Sequence, residues 1–300
     1  MANYSSWYTR QPMNNAAIGI FDSGLGGLTV AREIAALMPA ESLIYVGDQA
    51  RCPYGPRDSF EVQTFAHQIA TFLRQQPVKA IVIACNTATT CALDVAKQQF
   101  DVPVIGVINA GARTAVKATQ TKILAVIGTQ HTIESRAHEN AIHAIDDEVI
   151  VIGGVTQELT HVVEQGCGKE IANSIQKRGE YYHLIQGYLR PLLEHEPDTL
   201  LLGCTHYPVL TETLRAVVGP DIKIVCAAAE VAQELKYELG LRDHLMSGDT
   251  IDEQPRHTFY TTSKNVDNFA QKGSRIFGAD LNDPEGKCTV NYLSMEELTL

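Results

Sequence analysis

Two short stretches carry side chains suited to proton transfer, Cys85-Asn86-Thr87 and Cys204-Thr205-His206. Each follows a short apolar run and opens a segment of helical character. At a helix start the unpaired N–H groups and the helix dipole favour an anion, so a thiol there is expected to have a lowered pKa. Taken singly, either cysteine reads more readily as a small buried residue. The pair gains weight because the chain matches itself. Lys79-Ala-Ile-Val-Ile-Ala-Cys85 aligns with Asp198-Thr-Leu-Leu-Leu-Gly-Cys204 at a shift of 119 residues. His206 is too close to Cys204 for zinc-finger spacing and has no second ligand pair, so it reads as a thiol partner and no metal is expected.

Other candidates each have a plain structural reading beside the functional one. Asp22-Ser23-Gly24-Leu25-Gly26-Gly27 completes neither a dinucleotide fingerprint nor a phosphate-binding loop. Its glycines permit a tight turn and close backbone approach to a ligand. Asp22 is either a helix N-cap or a carboxylate that orients a thiol and meets a substrate ammonium. Tyr54 and Gly55, in Pro53-Tyr54-Gly55-Pro56, form a structural turn or touch a ligand. Glu164, beside Val162 and Val163, lies on a solvated helix face or supports the chemistry.

Eight apolar runs must position these residues: Ala17–Phe21, Leu43–Val46, Ala80–Ala84, Val102–Val107, Ile123–Ile127, Val149–Ile152, Thr199–Leu202 and Ile222–Val225. Such runs read as strands buried on both faces of a parallel sheet. Between them Val30, Ile34 and Leu37 fall at helical spacing, as do Phe65, Ile69 and Phe72, and Leu210, Leu214 and Val217. The alternation predicts an α/β fold. A second match, Ile44–Gly47 on Ile150–Gly153 at a shift of 106, places Ser23 on Thr129 and about 13 extra residues around Gly166–Tyr182. We therefore expect two pseudo-symmetric, doubly wound parallel-sheet lobes. The active site lies in the cleft between them, outside the carboxyl ends of the strands. The expected division is a loose extension over 1–15, a discontinuous first lobe of 16–108 plus 221–300, and a second lobe of 109–220. The tail has a helical stretch at Glu230–Leu239, turns at Ser247–Arg256 and strand character at Thr258–Thr262. It is expected to pack on the first lobe.

The 300 residues include 24 Lys+Arg against 35 Asp+Glu, a net charge of −11, so there is no basic field for a nucleic acid. Hydrophobic residues at 45% are enough for a sizeable core. Seven irregularly spaced cysteines without a CxxC pair suggest reduced thiols and a cytoplasmic location. The polar start does not read as a signal peptide and is expected not to be one, and no run approaches the ~20 apolar residues of a membrane span.

The sequence resembles the glutamate racemases of the cofactor-independent aspartate/glutamate racemase superfamily. The resemblance rests on Ile18–Val30, Gly47-Asp48, Pro53-Tyr54-Gly55, Ala84–Ala88, Gly128-Thr129 and Leu202–Pro208, and covers about residues 16–240. It implies interconversion of L- and D-glutamate for peptidoglycan, without a cofactor. It makes Cys85 and Cys204 the two acid/base residues, with Asp22, Glu164 and His206 as their polar support. Asp22, Ser23, Tyr54, Gly55, Asn86, Thr87, Thr205 and His206 become substrate contacts. By analogy Cys204 deprotonates L-glutamate and Cys85 D-glutamate. Homodimers are common in the family, and some longer members need a cell-wall precursor as activator. The chain departs from the family wording at Gln49–Pro53, Asn109-Ala110, Thr156–His161 and Cys226-Ala227.

Three other readings stay open on the residues alone. A hydrolase with a cysteine nucleophile and a histidine base leaves one cysteine unexplained. A two-lobed amino-acid-binding protein would bind without turnover. An aspartate or hydantoin racemase would share the motifs with a different pocket.

Overall fold

The computed structural model describes residues 15–166, 175–246 and 255–299. The expected extension over 1–15 lies outside them except for Asn15. So do most of the turns expected at Ser247–Arg256 and part of the surplus placed at Gly166–Tyr182.

The eight apolar runs form eight strands: β1 (Ala17–Asp22), β2 (Leu43–Gly47), β3 (Val78–Ile83), β4 (Val104–Gly106), β5 (Ile123–Gly128), β6 (Ile150–Val155), β7 (Thr199–Gly203) and β8 (Lys223–Cys226). Two more, β9 (His257–Thr261) and β10 (Cys288–Tyr292), follow in the tail. The first sheet has the order β10-β9-β2-β1-β3-β4 and the second β6-β5-β7-β8. Every pairing is parallel. The four-strand orders β2-β1-β3-β4 and β6-β5-β7-β8 are the same, the three-dimensional form of the internal match. In-register pairs Asp22–Gly47 and Gly128–Gly203 align the strand ends. The residues that follow therefore leave each sheet at one edge.

The connections are helices: α1 (Leu28–Leu37), α2 (Ser59–Gln75), α3 (Asn86–Gln99), α4 (Val107–Ala118), α5 (Gln130–Glu134), α6 (Ala137–His143), α7 (Glu158–Gln165), α8 (Ile175–Leu193), α9 (Thr211–Val218), α10 (Ala228–Leu241), α11 (Val266–Phe277) and α12 (Met295–Thr299). Their apolar faces close the core. Val30, Ile34, Ile69, Phe72, Leu210 and Leu214 are buried, whereas Leu37, Phe65 and Val217 pack at its margin. No described helix is long and apolar enough to cross a membrane.

Three expectations need correction. β8 pairs with β7 in the second sheet, so the chain returns to the first lobe after Cys226 rather than at residue 221. Strands buried on both faces are found at β1, β3 and β7, but β6 and β8 are edges, and Ile150 is 58% exposed. An edge strand has a neighbour on one side only, so its branched residues mark strand geometry without full burial. The tail also contributes more than expected, because β10 joins β9 on the first sheet.

The repeat-equivalent positions Lys79 and Asp198 show how differently matched sites can be used. Lys79 is fully buried. Its Nζ lies 2.5 Å from Glu41 Oε2 and donates to the His244 carbonyl at 2.8 Å, tying the segment after α10 to the first lobe. Asp198 accepts from Thr119 Oγ1, Gln120 N, Thr121 N and Thr199 Oγ1. Burial opposes its charged form, but these donors outweigh it and hold the carboxyl well below the ordinary range. A depressed folded-state pKa stabilises the protein above the unfolded value, near 3.8, and that stability is lost as pH falls toward the folded value. Asp198→Asn is therefore expected to cost about 1 kcal/mol at pH 7, solvent screening keeping it small. The gap from wild type should shrink below about pH 4. Urea melts across pH check this; a gap that does not change with pH contradicts it.

Candidate active site

The strand ends of both sheets converge on one cavity. Ser23, after β1, Cys85, after β3, and Asn86 and Thr87, opening α3, line its first-lobe wall with Pro53, Tyr54 and Gly55. Thr129, after β5, Thr160 on α7, and Gly203, Cys204, Thr205 and His206, at and after the end of β7, line the other. Both cysteines are 6% exposed, and they face the same space from different lobes.

Their settings differ. Cys85 is the N-cap of α3, and Ala88 N donates to its Sγ at 3.4 Å. Ser23 Oγ lies 3.9 Å away. The expected lowering of its pKa is not found. Burial pushes the thiol up, the Asp22 carboxylate pushes it further, and the helix-start amide only partly offsets them. Cys204 is followed by a turn and a short 3₁₀ segment, Tyr207–Leu210, rather than directly by an α-helix. Its Sγ lies 3.6 Å from His206 Nδ1 and 3.8 Å from Thr160 Oγ1.

His206 joins this thiol to Glu164, whose Oε1 lies 2.7 Å from Nε2. Burial alone would lower the imidazole pKa, but the bonds and charges of Cys204 and Glu164 outweigh it and raise the value well above normal. Glu164 is not on a solvated face. Leu25 N donates to Oε1 at 2.8 Å and Gln49 Nε2 to Oε2 at 3.0 Å. These donors and His206 hold its carboxyl below the ordinary value in spite of burial.

Asp22 is fully buried and does not cap α1, whose N-cap is Gly27. It accepts from Gly24 N at 3.0 Å and from Thr205 Oγ1 at 2.9 Å. Burial raises its pKa, with His206 pulling the other way. Gly24 and Gly26 beside Asp22 pack closely against side chains of the opposite lobe. A Cβ on Gly24 would sit 2.2 Å from Glu164 Oε1, and one on Gly26 2.4 Å from His206 Nδ1. Gly55 makes the same kind of approach, 2.1 Å from Gln157 Oε1. Thr87 Oγ1 and Thr129 Oγ1 share a bond of 2.9 Å between the lobes. Tyr54 lines the cavity, but its hydroxyl donates to Asp48, so its phenol is already engaged.

All of the residues singled out from the sequence thus meet at this cleft or directly behind it. Thr129, Thr160, Gln49 and His138 were not singled out. Thr129 had a signal, its alignment with Ser23 in the repeat. Gln49 stands within the departure at Gln49–Pro53. His138 carried no pattern; it is 3% exposed, and its Nε2 lies 3.0 Å from Asn86 Oδ1.

The chain is similar to proteins already known. A family model described as Asp/Glu/Hydantoin racemase matches residues 18–235. A glutamate racemase of Exiguobacterium sibiricum is 43% identical over 249 residues, 83% of this chain and 88% of that protein. The crystal structure of glutamate racemase isoform RacE1 from Bacillus anthracis superposes with a TM-score of 0.83 at 38% identity, covering 94% of this chain and 98% of that one. A glutamate racemase from Francisella tularensis, solved in complex with D-glutamate, does so with a TM-score of 0.80 at 30% identity, over 94% and 98%.

Proposed function

The chain belongs to the Asp/Glu/Hydantoin racemase family and is a racemase, and on that premise we propose that it interconverts L- and D-glutamate with Cys85 and Cys204 as paired bases. The observation that carries this reading is the presence of two buried thiols on opposite walls of one cavity. Racemisation removes a proton from one face of Cα and returns one to the other. A single base would have to cross the substrate plane; two bases need no such movement.

In one direction Cys204 takes the proton as thiolate and Cys85 supplies one as thiol; in the other the roles reverse. The electron pair left at Cα spreads into the α-carboxylate. The N–H groups at the start of α3 and the side chains of Asn86 and Thr87 are donors that can meet this growing charge without reorganising, whereas the Thr205 hydroxyl is already given to Asp22. The substrate ammonium belongs near Asp22. Burial and, after it, the Asp22 carboxylate raise the Cys85 pKa, and a positive charge there offsets the second of these causes. On the other wall, His206, held by Glu164, is placed to exchange a proton with Cys204. Ser23, Tyr54 and Gly55 complete the walls.

The cellular role that accompanies this reading is D-glutamate supply for peptidoglycan in the cytoplasm. Assays with and without a cell-wall precursor, and sedimentation for a homodimer, extend it to activator and assembly.

Circular dichroism of purified protein with L- or D-glutamate and no added cofactor tests the activity. Both antipodes should approach the same zero signal, and aspartate should react more slowly. Binding without any change in optical activity overturns the proposal.

A further inference from the structure

His138 is a buried histidine that the proposed chemistry does not use, yet it touches both catalytic strand ends. Arg136, in the left-handed region at φ 54°, holds the N-cap position of α6, and His138, two residues on, is buried. The ring lies against two glycines. A Cβ on Gly203, the residue before Cys204, would sit 3.1 Å from Nε2, and one on Gly111 of α4 would sit 3.2 Å from Cε1. Its only hydrogen-bond partner among the described residues is Asn86, the residue after Cys85, while Nδ1 is buried and without a partner there.

We propose that His138 is a positioning residue that sets the orientation of the Asn86 amide in the cleft, so that the amide N–H groups, and not its oxygen, face the substrate carboxylate. This rests on the racemase reading above, and adds to it the group that aims one of its donors.

The argument is one of donor accounting. An asparagine amide has nearly the same shape after a half-turn, so packing alone does not choose which end faces the cavity; its partner does. A neutral imidazole carries one N–H. Placed on Nε2, it donates to Asn86 Oδ1 and leaves Nδ1 as a bare lone pair. Placed on Nδ1, it would bury an N–H with nothing to receive it. Burial also pulls the ring's pKa down to about 4, so it is neutral near pH 7. The Nε2–H form holds Oδ1 toward the ring, and the amide N–H groups are left for the cavity that Asn86 lines.

A double-mutant cycle tests this. His138→Leu keeps the bulk and removes the donor, so the Asn86 amide can turn over. KM for glutamate should rise roughly tenfold, with a smaller change in kcat. In an Asn86→Ala background the same change should have an effect of less than about twofold, because no amide remains to orient. An equal effect in both backgrounds indicates a structural role and overturns the proposal. His138→Gln, whose terminal amide can replace the Nε2 donor, should recover most of the loss; His138→Asn, which is shorter, should not. If the leucine variant fails to fold, this second pair decides, and equal activity of the two overturns the proposal. A readout independent of turnover is the ¹⁵N spectrum of the His138 ring in the ligand-free protein. The Nε2–H tautomer is expected at neutral pH, and an Nδ1–H tautomer or an imidazolium overturns the proposal. Wild-type protein that fails to racemise glutamate but shows the expected tautomer removes the reaction while leaving the orientation of Asn86 intact.

Discussion

Replacing Cys85 by alanine should lower glutamate racemisation in both directions by about 10²–10⁴-fold, the range for removal of a positioned acid or base. Cys204→Ala should do the same. Loss in both directions is the informative feature, since each thiol serves once as base and once as acid in every round trip. The fold should survive, because only one small atom is lost from each buried site. Isotope exchange separates this scheme from simple damage. In D2O the wild-type enzyme should place solvent deuterium at Cα as the antipode forms. The Cys85→Ala enzyme retains Cys204, so it should slowly exchange the α-hydrogen of L-glutamate without inverting it; Cys204→Ala should do this for D-glutamate. Full racemisation by either variant would falsify the two-base arrangement. Exchange of the same antipode by both variants would contradict the assignment of faces.

The second large effect is expected at a residue with no functional group. Gly26→Ala should cost about 1–3 kcal/mol of stability and lower turnover by about 10²-fold. Its Cβ would lie 2.4 Å from His206 Nδ1 and 2.6 Å from Thr205 Oγ1. Neither atom can easily yield. Thr205 Oγ1 donates to buried Asp22, and the His206 ring is held at its other end by Glu164. Relief of the clash must separate the lobes or move His206 away from Cys204. Gly187→Ala is the matched control. It lies on α8, with open space around the added methyl, and should stabilise the helix by about 0.5–1 kcal/mol with turnover unchanged. Thermal melts and initial rates on the two variants decide it. Normal turnover in Gly26→Ala contradicts the close-packing account.

Much of this molecule could be read before it was seen. Apolar runs bounded by helical segments are local signals, and they located eight of the ten strands among the described residues. The matched cysteines were legible because duplication preserves spacing, and equal spacing on equal lobes puts equal positions on facing edges. The tail was read less well. β10 lacks a long apolar run and pairs only with β9, so its strand character depends on a neighbour already being present. The boundary at residue 221 failed for a related reason: an edge strand such as β8 belongs to whichever sheet offers a free edge.

The chemistry divides along the same line. Residue type and order dictated which groups are available: two thiols, a histidine beside one of them, a carboxylate and a run of glycines after the first strand. Whether those groups are charged, paired or free followed from burial and from partners far away in the chain. The Cys85 thiol is raised rather than lowered because solvent exclusion and Asp22 outweigh the nearby helix amides. Glu164 faces His206 rather than water because α7 crosses from the second lobe to meet Leu25 and Gln49. Electrostatic energies are sums over everything within a few ångströms, and most of what lies that close to this cleft is separated from it by scores of residues along the backbone.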